Sequence, residues 1–131
     1  MLKRAFEKVG LPTTLHFVSD GQEVIDYLLG AGQFADRALH PLPDLLLLDL
    51  KMPRVDGFQV LSWVRQQPGL KRVPAVIFSS SGEEEDVNQA YDLGANSYLM
   101  KPHESEELLG IVEKLKKYWG DTNKPPNPQR I

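Results

Sequence analysis

Cysteine is absent from all 131 residues, which excludes disulfide bonds, thiol catalysis and cysteine-based metal sites. Long apolar runs are absent too, so neither a membrane-spanning helix nor a signal peptide is expected. The formal net charge is only −3, and the basic surface that is typical of nucleic-acid-binding domains is therefore not expected. These absences predict a cytoplasmic protein without membrane or nucleic-acid partners.

Four consecutive leucines, 45–48, form the most informative segment of the chain, and they end at Asp49. Such a run is typical of a strand that is buried on both faces. Burying a carboxylate is costly. Open α/β sheets, however, place their ligand sites at the carboxyl ends of parallel strands. Asp49 is therefore predicted to lie at a functional edge of a sheet.

Helix and strand patterns alternate along the chain. The order α-β-α-β-α-β-α-β-α predicts an α/β fold of three layers with a doubly wound parallel sheet. One domain is expected over residues 1–118, and the proline-rich segment 119–131 is expected to be a flexible tail. The predicted helices cover 2–9, 20–29, 57–67, 83–93 and about 108–117, the predicted strands cover 14–18, 45–48, 75–79 and 97–100, and a long loop covers 30–43.

Polar residues stand at the ends of the last three predicted strands: Asp49, Ser79 and Lys101. A carboxylate can accept a phosphoryl group as a nucleophile. A lysine can neutralise the transferred phosphate as a point charge, and a serine hydroxyl can donate a hydrogen bond to it. Each residue alone has a plain structural interpretation, as a cap, a polar turn or a surface lysine. Together they favour phosphoryl-transfer chemistry at one sheet edge.

The sequence resembles the receiver domain of two-component response regulators and is similar to the chemotaxis response regulator. The resemblance covers residues 1 to about 118, and its long loop resembles the single-domain subgroup of phytochrome response regulators. It implies a flavodoxin-like sheet with the strand order 2-1-3-4-5. The matching segments are LDLKMPRVDG at 48–57, PAVIFS at 74–79 and GANSYLMKP at 94–102.

The resemblance implies a role for each matched site residue. Asp49 would be the phosphoacceptor, Ser79 would sense the phosphate and Lys101 would bind it. Tyr98 would be a rotameric switch, although a tyrosine on a strand is as readily explained as a core residue. A cis peptide bond between Lys101 and Pro102 is also implied.

Two further residues, Lys51 and Ser81, would flank the site and tune the lifetime of the phosphoryl group. A phytochrome-like histidine kinase would be the donor, and the output would be contact with another protein. Apart from phosphorylating and dephosphorylating itself, the chain is not expected to be an enzyme. A magnesium ion is implied as the cofactor, with Asp49 as one ligand.

One part of the family pattern has no match. The family begins with a strand ending in acidic residues that help to hold magnesium, and no such strand precedes Leu2. The predicted sheet therefore lacks its first strand, and its unpaired edges predict a homodimer or higher oligomer. Weak magnesium binding is expected as well. Either residues upstream of Met1 complete the domain, or the site is degenerate.

Two alternative functions stay open on the sequence. A degenerate pseudo-receiver would bind a partner without being phosphorylated, and the unmatched acidic pair favours this alternative. A haloacid-type phosphatase would use Asp49 as its nucleophile. That class needs a second aspartate two residues later, where this sequence has Lys51.

Overall fold

The computed structural model describes Val18 and residues 20–122, which divide into two units, Val18–Met100 and residues 101–122. The predicted helix over 2–9 lies outside the described residues, as does the predicted strand over 14–18 apart from Val18. Each unit is described below by itself.

Helices and strands alternate in the first unit, as predicted. Its elements are α1 (Gly21–Leu29), a 3₁₀ turn (Gly32–Phe34), β1 (Leu46–Leu48), α2 (Gly57–Gln66), β2 (Ala75–Ser79), α3 (Glu84–Asp92) and β3 (Ser97–Met100). The predicted bounds agree with these to within one or two residues. The three strands form a parallel sheet in the order β1-β2-β3, which matches the last three strands of the predicted order.

Aspartates begin the first two helices. The Asp20 carboxylate accepts the backbone N–H of Glu23 at 2.9 Å and caps α1. Asp56 and Gln59 form a reciprocal capping box at the start of α2, with both hydrogen bonds at 2.9 Å. Since Asp56 directly follows the loop after β1, this box fixes where that loop ends.

The core of the first unit is built around β2, whose five residues are all buried. Val60, Leu61 and Val64 of α2 pack into the same cluster and are 0% exposed. The leucine run is less buried than predicted: Leu46 and Leu47 are half-buried, and only Leu48 is buried. Among the described strands, β2 pairs with another described strand on each side, and it is the fully buried one.

Arg65 joins the end of α2 to the two loops that precede β2 and β3, at the amino-terminal edge of the sheet. Its guanidinium donates to the carbonyls of Gly94 at 2.9 Å, Lys71 at 3.0 Å and Val73 at 2.7 Å. It also donates to the Oδ1 atom of Asn96 at 3.1 Å. Burial lowers the pKa of Arg65, but a guanidinium stays charged at neutral pH.

The loop 30–43 is held by its own arginine. Arg37 donates to the carbonyls of Tyr27 at 2.8 Å and Leu28 at 2.7 Å, which end α1, and to the carbonyl of His40 at 3.1 Å. The Tyr27 hydroxyl donates to the carbonyl of Pro41 at 2.9 Å. The two ends of the loop are thereby joined to the same helix terminus.

The second unit contains one α-helix, α4 (Ser105–Leu115), followed by a π-helix (Lys116–Thr122). Leu108, Val112 and Leu115 are buried along one face. The helical segment continues four residues beyond residue 118, where the tail was predicted to begin, and residues 123–131 lie outside the described part of the chain. No helix among the described residues is long and apolar enough to cross a membrane.

The cis peptide bond that the resemblance implied before Pro102 is not found. Every peptide bond in the described part of the chain is trans, including the bond between Lys101 and Pro102. The trans isomer is favoured by about 0.5–1 kcal/mol even before proline, so a cis bond forms only where surrounding contacts impose it.

Candidate functional site

Asp49 directly follows β1, at the carboxyl end of the sheet, as predicted. One carboxylate oxygen, Oδ1, accepts the backbone N–H of Lys51 at 3.0 Å, which turns the chain away from the strand. The Asp49 side chain is half-buried and that of Lys51 is exposed. This arrangement gives Asp49 a fixed backbone and a carboxylate at the surface of the sheet edge.

The first residue of α2 touches the backbone of Asp49. A β-carbon at Gly57 would overlap the Asp49 carbonyl oxygen and would lie 2.9 Å from the Leu50 α-carbon. Both obstacles are backbone atoms, so neither can move as a flexible side chain would. Only glycine lets α2 begin this close to Asp49.

The loop between Asp49 and α2 is tied to α1 by an ion pair. Arg54 donates to the two carboxylate oxygens of Asp20 at 3.0 and 2.9 Å, and its own backbone is left-handed, with φ of 64°. The hydrogen bond from the Glu23 N–H, together with Arg54, holds the pKa of Asp20 below its ordinary value of 3.8. Gly21 lies so close to Val55 that a β-carbon would overlap its carbonyl. The start of α1 therefore anchors this loop.

Ser79 ends β2 and is fully buried. Its register partner on β3 is Met100, and Leu48, the residue before Asp49, pairs with Ile77 of β2. Asp49 and Ser79 therefore lie at the same edge of two adjacent parallel strands, which are about 4.8 Å apart. The Ser79 Oγ atom accepts the Ser81 N–H at 3.1 Å, and a hydroxyl bound in this way keeps its own proton for donation.

Tyr98 is a core residue with a hydrogen-bonded hydroxyl, and its role as a switch stays a prediction. Its half-buried ring packs against the hydrophobic core from β3. Its hydroxyl donates to the Ser81 carbonyl at 2.7 Å. The polar end of a core residue thus reaches the loop that follows Ser79.

Ser81 also binds α3 through its side chain. Its hydroxyl donates to the Oδ2 atom of Asp86 at 2.6 Å and accepts the Glu83 N–H at 3.3 Å. Sequence reasoning identified Ser81 as a flanking residue but missed Asp86, because the acidic run that opens α3 resembles an ordinary solvated first turn. The sequence signal that could have identified Asp86 is a serine just before a helix that has an acid in its first turn.

Lys101 follows β3 immediately and is the first residue of the second unit. Its side chain is half-buried. The first unit brings together Asp49, Ser79, Ser81 and Tyr98, while the place of Lys101 beside them stays a sequence-based prediction.

The described residues do not by themselves fit a metal ion. Among Val18 and residues 20–122, no three acidic or histidine side chains cluster where they could hold one. Divalent cations bind through several oxygen ligands, and Asp49 would supply only one of the carboxylates.

The sequence matches the response regulator receiver domain family over residues 1–113. The chain belongs to this family. Among curated relatives, the probable methanogenesis regulatory protein FilR2 of Methanothrix harundinacea is 36% identical over 128 residues, which cover 98% of this chain and 80% of FilR2. The family interpretation of the sequence is therefore confirmed.

Solved structures of phytochrome response regulators resemble this receiver domain closely. The phosphorylated cyanobacterial regulator RcpA superposes with a TM-score of 0.84 at 34% identity, covering 95% of this chain and 89% of RcpA. The manganese-bound form of Rcp1 gives a TM-score of 0.85 at 32% identity, covering 95% of this chain and 91% of Rcp1. Rcp1 is a protein of Synechocystis. These matches confirm the predicted flavodoxin-like α/β fold and the likeness to phytochrome response regulators.

Proposed function

We propose that Asp49 of this receiver domain accepts a phosphoryl group from a histidine kinase and that the protein then signals by binding another protein. The observation that carries the proposal is the placement of Asp49 and Ser79 at one edge of adjacent parallel strands. Receiver domains are signalling domains, and the related regulators RcpA and Rcp1 support a phytochrome-like kinase as the donor. Such a kinase domain and this receiver would meet in the cytoplasm.

The proposed reaction is a substitution at phosphorus. A carboxylate oxygen of Asp49 attacks the phosphorus atom of a phosphohistidine, the P–O bond forms and the P–N bond breaks. The imidazole nitrogen departs with the electron pair of that bond and takes up a proton. The backbone of Asp49 is fixed by the Lys51 N–H and by the close approach of Gly57. A fixed nucleophile favours this step, because less freedom of motion is lost when the reacting atoms meet.

The phosphoryl group adds about one to two negative charges and several strong hydrogen-bond acceptors at this edge. Ser79 would donate its hydroxyl proton to one phosphoryl oxygen. Lys101 would neutralise another through its ammonium group. The new hydrogen bond at Ser79 acts on the loop that binds Tyr98, so the phosphorylated state would alter the surface around β3 and α3.

Chemical phosphorylation of the full chain tests the proposal. The protein is treated with acetyl phosphate in magnesium-containing buffer, and the adduct is located by mass spectrometry of peptides. One phosphoryl group on Asp49 is expected, and none in Asp49→Asn. Asp44→Asn is the matched control, because Asp44 is an exposed aspartate five residues earlier.

The result also decides between the proposed function and its main alternative. An adduct that survives in Asp49→Asn would show that another residue is the acceptor. A wild-type chain that takes up no phosphoryl group, from acetyl phosphate or from a histidine kinase, would instead favour a pseudo-receiver.

A further inference from the structure

Ser81 forms hydrogen bonds to three different elements through its N–H, its carbonyl and its hydroxyl. Its N–H donates to Ser79 at the end of β2, and its carbonyl accepts the Tyr98 hydroxyl from β3. Its own hydroxyl donates to Asp86 in the first turn of α3. The backbone of Ser81 thus contacts both residues that are proposed to read the phosphoryl group, and its side chain ends on an acid.

The bond to Asp86 is the strongest of the three. Its O···O distance of 2.6 Å falls in the range of hydroxyl-to-carboxylate bonds, which are about twice as strong as neutral ones. Asp86 is half-buried, and its position near the amino terminus of α3 favours a negative charge. The Asp86 carboxylate therefore holds the loop 80–83 in place through Ser81.

We propose that Asp86 is a positioning residue for the phosphoryl readout: acting through Ser81, it holds the Ser79 hydroxyl and the Tyr98 hydroxyl in the arrangement that phosphorylation uses. This inference rests on the proposed function of Asp49. It adds a residue on α3 that would act on the phosphoryl group only through Ser81.

The proposal has a defined energetic consequence. With Asp86 in place, the hydrogen bond from the Ser81 N–H orients Ser79 before any phosphoryl group arrives. Without Asp86, the loop 80–83 has to be ordered when the phosphoryl group binds, and this ordering costs free energy. Because coupling between sites is reciprocal, the phosphorylated state should in turn hold the Tyr98 hydroxyl on the Ser81 carbonyl more firmly.

The test measures binding of beryllofluoride, an analogue of the phosphoryl group, to the full chain in magnesium buffer. Asp86→Ala should weaken binding about fivefold, at the lower end of typical coupling between sites. Asp86→Asn keeps an acceptor oxygen without the charge and should fall between the alanine variant and wild type. Glu85→Ala is the matched control, because Glu85 is an exposed acid in the same turn of the same helix, and it should bind as wild type does.

A double-mutant cycle separates positioning from a general loss of structure. Ser81→Ala removes the hydrogen bond to Asp86 from its other end. The double variant Ser81→Ala/Asp86→Ala should therefore bind beryllofluoride as tightly as the single variant with the lower affinity. Additive effects would overturn the proposal, as would an affinity of Asp86→Ala equal to that of wild type. Thermal unfolding of each variant shows whether it is folded at the assay temperature.

A second readout keeps this proposal distinct from the function of Asp49. In the unphosphorylated chain, NMR resonances of the Tyr98 ring and the Ser81 amide should shift in Asp86→Ala and stay in place in Glu85→Ala. If wild type binds no beryllofluoride, the proposed function fails, and the NMR result still decides whether Asp86 holds Ser81 and Tyr98 in place. Unchanged Tyr98 and Ser81 resonances in Asp86→Ala would then overturn it.

Discussion

Arg54 and Asp20 are joined by two parallel hydrogen bonds, of 3.0 and 2.9 Å, between a guanidinium and a carboxylate 34 positions apart in the sequence. Asp20 caps α1, and Arg54 lies in the loop between the proposed phosphoacceptor and α2. The pair holds Arg54 in a left-handed backbone conformation that side chains with a β-carbon rarely adopt. The loop beside Asp49 therefore contains a stabilising ion pair and a strained backbone conformation, both at Arg54. Substitutions can separate the two effects.

Substitutions at Arg54 should distinguish these two effects. Arg54→Ala loses the ion pair and keeps the strained backbone, whereas Arg54→Gly loses the ion pair and relieves the strain. We expect the glycine variant to be more stable than the alanine variant by about 1 kcal/mol, because a left-handed conformation costs roughly that much for a residue with a β-carbon. Urea unfolding of the two variants measures the difference. An alanine variant as stable as the glycine variant would contradict the strain.

The charge of Asp20 should make stability depend on pH in the acid range. Its pKa is lowered in the folded protein, so the ionised carboxylate stabilises the fold at pH values above its unfolded pKa of about 4. This contribution is lost as the pH falls through the lowered pKa. Asp20→Asn, which can still cap α1, should therefore be less stable than wild type at pH 6 and approach it at about pH 2. Thermal unfolding between these pH values measures the difference in stability between Asp20→Asn and wild type. A difference that does not change with pH would argue against a contribution from the Asp20 charge.

Gly57→Ala should damage both stability and the site. Its β-carbon would overlap the Asp49 carbonyl, and overpacking of this kind costs about 1–3 kcal/mol. Any relief requires the backbone of Asp49 to move, so uptake of the phosphoryl group from acetyl phosphate should slow as well. Gly110→Ala is the matched control: it lies within α4, and apart from its chain neighbours and the backbone of its own helix, no atom of the described residues lies within 4 Å of an added β-carbon. This substitution should stabilise the protein by about 0.5–1 kcal/mol. Equal effects of the two substitutions would show that the close approach at Gly57 is unimportant.

Arg65→Lys should destabilise the first unit almost as much as Arg65→Ala. Four acceptors surround the Arg65 guanidinium, and a lysine ammonium cannot reproduce its planar set of donors. A loss of about 2 kcal/mol is expected, in the range for hydrogen bonds to a charged group. Arg72→Ala, at an exposed arginine close to the same edge, should stay within about 0.5 kcal/mol of wild type. Chemical denaturation measures the stability of the three variants. An Arg65→Lys variant as stable as wild type would rule out a role for the planar arrangement of guanidinium donors.

The sheet was predictable because strong local patterns agreed with the fold. The helix and strand patterns of the sequence located α1, α2 and all three described strands to within two residues. The burial of the leucine run was overestimated, since residue type alone does not show how many partners a strand has. Pro102 was wrongly assigned a cis bond, because sequence cannot show which contacts would impose that isomer.

The site was only partly predictable, for a related reason. Asp49 and Ser79 are visible in the sequence because strand ends in a parallel sheet converge. Asp86 and Arg54 were missed because their roles depend on partners in other elements: Asp86 binds the loop before its helix, and Arg54 binds Asp20. Pairs of this kind are set by tertiary contacts and leave no periodic trace in the sequence.

The arginine that holds loop 30–43 limits how this loop can change in length. Surface loops usually accept insertions and deletions, because longer loops add little to the entropy of closure. Here Arg37 must span back to Tyr27 and Leu28 while it also binds His40, so the number of residues on either side of it is fixed by three carbonyl positions. A residue inserted at 31–36 would detach the guanidinium from the Tyr27 and Leu28 carbonyls at the end of α1. Homologous chains that keep an arginine at this position should therefore vary in the composition of the loop and hardly at all in its length.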